Sequence, residues 1–141
     1  MPTNKSCIAV AILFVFTFAC MRVEYRPILP NQIADWHMTA NSLSCASPVP
    51  AKLNISPDTA KARQACTVQY SGTPNINVTV YTMPDSSTAF EAIQHWEQPD
   101  TGKGAFYKGN LFVIVESPST DLPALARFAN LLKPVLSPSA Q

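Results

Sequence analysis

The stretch CTVQYSGTPNINVTVYTM, residues 66–83, decides which fold the sequence predicts. Apolar and polar side chains alternate on either side of residues 71–75 (SGTPN), and Ile76, Val78 and Val80 fall on the same face. Alternation with a period of two predicts strands that bury one face, and glycine and proline between them are typical of a turn. The stretch therefore predicts an antiparallel hairpin whose apolar face has to be covered by another element.

A helix and a second hairpin follow this first hairpin. Residues 86–98 (SSTAFEAIQHWEQ) predict a helix, because their apolar side chains recur at helical spacing. The apolar stripe consists of Ala89, Ala92, Ile93 and Trp96. Residues 105–117 (AFYKGNLFVIVES) predict the second hairpin, since Gly109 and Asn110 form a strong two-residue turn signal between two apolar runs.

The chain beyond the second hairpin predicts one more helix. Thr120 or Asp121 caps this helix, Pro123 lies in its first turn, and Pro134 ends it. The predicted buried stripe consists of Leu122, Leu125, Phe128, Ala129 and Leu132.

The order of these elements, β-β-α-β-β-α, predicts an α+β fold. We expect a two-layer sandwich, in which an antiparallel sheet of four to five strands carries both helices on one face and Trp36 marks the fifth strand. Residues 111–115 (LFVIV) are apolar on both faces, so the far face of the sheet needs cover as well. The segment 41–57, rich in serine and proline, is the candidate for that cover.

The N-terminal residues predict a targeting signal. Residues 7–19 (CIAVAILFVFTFA) carry no charge and follow Lys5, as in a secretory signal peptide. The run is shorter than the ~20 residues of a spanning helix, although a short uncleaved anchor remains the alternative. Ala19 and Cys20 fit the end of a bacterial lipoprotein signal, which makes Cys20 the candidate lipidation site. Ordinary signal cleavage after Ala19 is the other possibility.

These signals divide the chain into four predicted segments. Residues 1–20 are the signal peptide, and residues 21–30, with two prolines, are a tether. Residues 31–136 form a single α+β domain. Residues 137–141 form a disordered tail.

The four cysteines indicate one disulfide in the exported part of the chain. Cys7 leaves with the signal and Cys20 lies at its end, so Cys45 and Cys66 remain as an even pair. Export usually leads to an oxidising compartment, where such a pair is joined. The spacing does not suit a zinc site, because the chain has no CxxC motif and no nearby histidine pair.

Composition excludes several classes of function. Ten Lys and Arg residues stand against nine Asp and Glu, a formal net charge of +1, whereas nucleic-acid binding needs a clustered excess of cations. The sequence has no nucleophile elbow, phosphate loop, HExxH motif or EF-hand loop. We therefore expect no nucleic-acid partner, no catalytic residue, no metal and no cofactor.

A few polar and aromatic side chains are candidate site residues. His37 and His95 match no family spacing, so we expect packing or surface roles for both. Three carboxylates are expected to lie on the solvated face of the first helix or just beyond it: Glu91, Glu97 and Asp100. Five strand aromatics are expected to pack the sheet, with a recognition face as the alternative: Tyr70, Tyr81, Phe106, Tyr107 and Phe112.

Three stretches carry a resemblance to a known group of proteins. They are LPNQIADW (residues 29–36), VYTMPDSSTAFEA (80–92) and GAFYKGNLFVIVES (104–117). With these stretches the chain resembles exported bacterial proteins of unknown function, common in acidobacteria, that carry a signal or lipoprotein leader. The resemblance implies export and a compact α+β domain, and it implies neither catalytic residues nor a known ligand.

The opening stretch, residues 29–36, is also similar to the periplasmic protein associated with exosortase systems. The chain lacks the histidine and cysteine motif expected of that family, so no activity is carried over from it.

Together these features predict an exported protein of the bacterial cell envelope or a secreted protein. We expect a non-enzymatic binding or assembly module that is held at the membrane by a lipid or signal anchor and meets an envelope protein or ligand. The alternative is an accessory or catalytic subunit of an envelope polymer-processing system. A cleft that joins His37 or His95 to carboxylates would favour the enzyme, and an apolar aromatic patch would favour the binding module.

Overall fold

The computed structural model describes residues 26–97, 102–119 and 121–138. Its strands are β1 (Gln32–Ile33), β2 (Trp36–Met38), β3 (Ser44–Ala46), β4 (Gln64–Ser71), β5 (Ile76–Thr82), β6 (Lys103–Lys108) and β7 (Leu111–Glu116). Its helices are α1 (Ser86–Gln94) and α2 (Leu122–Val135), and two 3₁₀ turns, Ala51–Leu53 and Thr59–Lys61, lie between β3 and β4. The predicted signal peptide, Cys20 and Asp100 lie outside the described residues.

The strands form one antiparallel sheet in the order β1-β2-β4-β5-β7-β6, and β3 pairs with β4 beside β2. The α+β class and both hairpins are confirmed. The sheet is larger than predicted, because the part of the chain that is described contributes seven strands. Strand β2 contains Trp36, which marks the predicted fifth strand. The additional strands β1 and β3 have two and three residues, which is too short for alternation to be visible in the sequence.

The two helices lie on opposite faces of the sheet, so the prediction of both on one face is wrong. Val113 and Val115 of β7 belong to the apolar cluster that includes Leu125, Phe128 and Leu132 of α2, whereas Leu122 of the predicted stripe is exposed. Phe112 and Ile114 belong to the cluster that includes Ala89 and Ala92 of α1. Because β7 is apolar on both faces, each face needs its own covering helix.

The segment between β3 and β4 covers the α1 face together with α1, whereas we expected it to cover a face without a helix. Val49, Leu53 and Ala62 pack against the cluster on that face. The Tyr81 hydroxyl donates a hydrogen bond to the Leu53 carbonyl oxygen at 2.6 Å. Burial, with a smaller contribution from the charge of Glu116, raises the pKa of Tyr81 to about 12. The disulfide between Cys45 and Cys66 is confirmed and joins directly opposed residues of β3 and β4.

Near the two ends of the described chain, residues 28 and 137 pair with each other. Ile28 and Ser137 form an antiparallel bridge, in which the Ile28 N–H donates to the Ser137 carbonyl at 2.9 Å. Leu29 packs against the α2 face, and the Pro30 carbonyl accepts a hydrogen bond from the Tyr70 hydroxyl at 2.8 Å. Prolines exclude a helix here but allow an extended chain to lie on the domain.

The helix ends differ from the sequence prediction in detail. Asp85 caps α1 and accepts from the Thr88 N–H at 2.8 Å, and these hydrogen bonds from Thr88 and Ser87 lower the pKa of Asp85. Helix α1 ends at Gln94, so Trp96 lies beyond it, half-buried, with its ring centroid 6.1 Å from that of Phe112. Asp121 caps α2, as one of the two predicted caps.

Candidate binding groove

A groove of about 380 Å³ runs between the edge strand β6 and the helix α2. Its walls are mainly apolar and consist of Phe106, Val115, Leu122, Leu125, Ala126 and Ala129. Asn130 and Lys133 of α2 add polar groups to the lining. The volume lies within the range of about 300–1,000 Å³ that is typical of small-molecule and cofactor sites.

Small residues on both walls leave this space open. Gly104 of β6 lies opposite Val115, and a Cβ atom built on Gly104 would meet the Val115 Cγ2 atom at 3.5 Å, an ordinary van der Waals contact. The groove at Gly104 therefore has room for a side chain that the sequence does not supply. On the facing wall, α2 presents the methyl groups of Ala126 and Ala129. Protein interiors are normally close-packed, so a gap of this size between packed elements exists because the residues on both walls are small.

Hydrogen bonds fix both ends of α2, and those at its C-terminal end join the helix to β6. The Asp121 carboxylate accepts from the Ala124 N–H at 3.1 Å at the start of the helix. At its end, the Lys108 ammonium donates to the carbonyl oxygens of Lys133 and Pro134 at 2.8 and 3.0 Å. These carbonyls lack partners within the helix, and a cation is favourable at this end of the helix dipole. The groove therefore has fixed walls.

The charge of Lys133 is not neutralised by a neighbour. Within the described residues, the Lys133 side chain forms no ion pair, whereas Lys103 lies 3.7 Å from Glu116 and Lys61 lies 3.7 Å from Glu91. The lining of the groove contains no carboxylate. An anionic group in the groove would therefore meet a cation without displacing an existing partner.

The two histidines that the sequence singled out lie away from this groove. His37 is exposed on β2. The His95 Nδ1 atom lies 3.0 Å from Asp58 Oδ2, and Lys61 Nζ lies 3.9 Å from Asp58 Oδ1. No serine, threonine or cysteine side chain in the described residues hydrogen-bonds to His95. This cluster joins the second 3₁₀ turn to the end of α1 and does not bring the two histidines together.

The strand aromatics pack the sheet, as expected. Tyr70, Tyr81 and Phe112 are fully buried, and Tyr107 stacks edge-on against Phe90 with ring centroids 5.4 Å apart. Only Phe106 of this set lines the groove. The disulfide is part of the β3–β4 pair and does not line the groove either.

Sequence reasoning missed the groove, although two signals for it were present. Gly104 interrupts a run of larger side chains in β6, and glycine inside a strand often marks a place where another group approaches closely. Ala126 and Ala129 are three residues apart and share one flank of α2, beside the stripe of larger side chains. Neither signal gives a cavity until the two elements are known to be neighbours.

The part of the chain that the structure describes contains neither a metal-binding cluster nor a membrane-spanning helix. No group of three or more His, Cys, Asp and Glu side chains is arranged to hold a metal ion there. No described helix has both the length and the apolar character needed to cross a bilayer.

Comparison of the chain with protein-family models, curated proteins and solved structures found no match. The resemblance to exported bacterial proteins therefore stays a prediction from the sequence.

Proposed function

We propose that this protein is an exported binding module of the bacterial cell envelope, without catalytic activity of its own, that takes its ligand between β6 and α2. The observation that carries the proposal is the groove of about 380 Å³, whose mainly apolar lining includes Lys133, a cation without an ion pair among the described residues. An apolar cavity with a few convergent polar groups is the usual form of a binding site. Fixed helix ends keep the groove open without a ligand, which lowers the ordering cost of binding.

The proposed location combines the predicted leader with the disulfide. Residues 7–19 predict export, and a Cys45–Cys66 disulfide is compatible with an oxidising compartment. Lipidation at Cys20 would hold the domain at the membrane, with an uncleaved signal anchor as the alternative. Intact-mass measurement of protein from the envelope fraction tests this part. A mature chain that begins at Cys20 and carries acyl mass supports lipidation, and a full-length chain without acyl mass contradicts it and leaves the signal anchor.

Site-specific photo-cross-linking in living cells tests the groove itself. A benzophenone side chain replaces the exposed Asn130, which lines the groove, and the same side chain at the exposed Ala60 is the matched control. We expect a defined adduct from position 130 and none from position 60. No adduct at 130, or the same adducts from both positions, would contradict a binding role for the groove.

The alternative role, as an accessory or catalytic subunit of an envelope polymer-processing system, would depend on the His95–Asp58 pair. Its distance of 3.0 Å suits a base held by a carboxylate. This role predicts that His95→Ala removes the activity of the polymer-processing system while leaving the adduct from position 130 unchanged. The binding module predicts that His95→Ala leaves both unchanged.

A further inference from the structure

We propose that the ligand of the groove is an extended polypeptide segment that adds to the outer edge of β6 as a further strand. This inference depends on the proposed function, because it names the chemical class that the same groove would bind. It commits to a peptide with apolar side chains on one face and an acidic group near Lys133.

The hydrogen-bonding pattern of β6 shows which backbone groups face outward. The two-residue turn at Gly109 and Asn110 makes Lys108 and Leu111 a hydrogen-bonded pair, so every second residue of β6 bonds to β7. The Ser117 N–H donates to the Gly102 carbonyl at 2.8 Å. Gly102 is six residues before Lys108, so this hydrogen bond continues the same alternation. The N–H and C=O groups of the alternate residues, including Ala105 and Tyr107, therefore point away from β7.

The outward N–H and C=O groups of Ala105 and Tyr107 have no backbone partner in the described part of the chain. β6 is the last strand on its side of the sheet, and neither Ala105 nor Tyr107 forms a backbone hydrogen bond outside the β6–β7 pair. Such an edge is a ready template for another strand. Main-chain hydrogen bonds along an edge, with alternate side chains in pockets, form one of the recurring modes of peptide recognition.

The groove is continuous with this edge. Ala105 lines the groove although its side chain packs with the cluster on the α1 face, so the groove reaches Ala105 through its backbone. A strand added beyond β6 would lie about 4.8 Å from it, with alternate side chains on the α2 face. Those side chains would meet the space that Gly104 leaves open and the methyl groups of Ala126 and Ala129.

Charge complementarity favours a chain with acidic residues over a second copy of this one. The groove lining includes Lys103 and Lys133 and, among the described residues, no carboxylate. A second β6 strand, with the sequence KGAFYK, would bring two more lysines and no acidic residue to this edge. A partner with acidic residues would instead meet Lys133, whose charge has no ion pair in the described residues. The charges around the groove therefore select an acidic peptide.

Selection from a displayed library of random peptides tests this inference on the full chain in detergent. Strand β6 has six residues, so peptides about ten residues long cover its edge. We expect enrichment of peptides that alternate apolar and polar residues and carry Asp or Glu. Ala126→Leu should weaken their binding about tenfold, whereas Ala60→Leu should not change it. Methylation of two alternate peptide nitrogens removes two hydrogen bonds and should also cost about tenfold.

The outcomes separate this inference from the function on which it rests. No enrichment, enriched peptides insensitive to Ala126→Leu, or binding that survives methylation at every alternate nitrogen would each contradict strand addition. If the photo-cross-linked ligand from position 130 is a lipid or a glycan, the groove is a binding site but the peptide inference is wrong. Dimerisation of the full chain that Ala105→Pro abolishes would show that a second copy occupies the edge, again contradicting a peptide from another chain.

Discussion

The two ends of the α2 face differ in the size of the side chains that meet the helix. At the β1–β2 end, Phe128 contacts the rings of Trp36 and Tyr70 edge-on, with centroids 5.3 and 5.2 Å away. At the β6 end, Gly104 and Ala126 leave a groove of about 380 Å³. The same helix lies on the same sheet at both ends. The comparison teaches that aromatic side chains close one end for stability, while small residues leave the other open for binding.

The largest effect is expected at the closed end. Phe128→Ala removes a fully buried ring that contacts two other aromatic rings, so it should lower the free energy of unfolding by about 3–5 kcal/mol. Urea denaturation followed by tryptophan fluorescence measures this change. A loss below about 1 kcal/mol would show that the aromatic end is not close-packed.

The disulfide provides a change that touches neither end of the α2 face. Replacing Cys45 and Cys66 together with alanine releases a loop with a sequence separation of 21 and should lower stability by about 2–4 kcal/mol. The adduct from position 130 should persist, because β3 lies on the other side of β4 from the groove. Loss of the adduct in protein that still folds would show that the disulfide supports the groove, which would contradict our account.

The sequence predicts the long strands of the sheet more fully than the short ones. The hairpins β4–β5 and β6–β7 have six to eight residues per strand, long enough for alternation and turn chemistry to identify them. The cysteine pair followed from simple counting. The strands β1 to β3 are too short to give a pattern, because they form only by pairing along β4 or with each other.

The sequence could not predict on which side of the sheet each helix lies, and it could not predict the groove. A helical stripe shows that a face is buried but not which sheet face it meets. The apolar residues 111–115 indicated that both faces need cover, yet the cover of the second face was assigned to the 41–57 segment alone. The groove depends on Gly104 and Ala126 meeting across two elements about twenty residues apart, which local patterns do not reveal.

Alanine substitutions at two glycines, Gly72 at the closed end and Gly104 at the open end, test the comparison directly. A Cβ atom at Gly72 would overlap the indole ring of Trp36, which is itself fixed by a hydrogen bond from its N–H to the Pro74 carbonyl at 2.8 Å. Gly72→Ala should therefore destabilise the fold by about 1–3 kcal/mol. Gly104→Ala should change stability by less than about 1 kcal/mol, because its methyl group enters the groove. Equal losses for both variants in urea denaturation would contradict the comparison.

Alkaline pH sharpens the comparison between the two faces, since each buries one tyrosine. Burial raises the pKa of Tyr70 on the α2 face, and raises that of Tyr81 on the α1 face from 10.0 to about 12. The unfolded chain loses these protons first, so stability should be intact below pH 10 and fall as pH rises towards 12. Tyr81→Phe should reduce the slope of this loss in denaturation midpoints measured across that interval. An unchanged slope would show that Tyr81 ionises normally in the folded protein.

The smallest expected effect on stability carries the largest expected effect on binding. Ala126→Leu adds a side chain to an exposed position at the groove mouth, so the free energy of unfolding should change by no more than about 0.5 kcal/mol. The central measurement is the yield of the cellular photo-adduct from a benzophenone at Asn130, with alanine or leucine at position 126. Our account predicts that leucine lowers the yield about tenfold, as filling the groove excludes the ligand. An unchanged yield in equally stable protein would contradict the groove as the binding site.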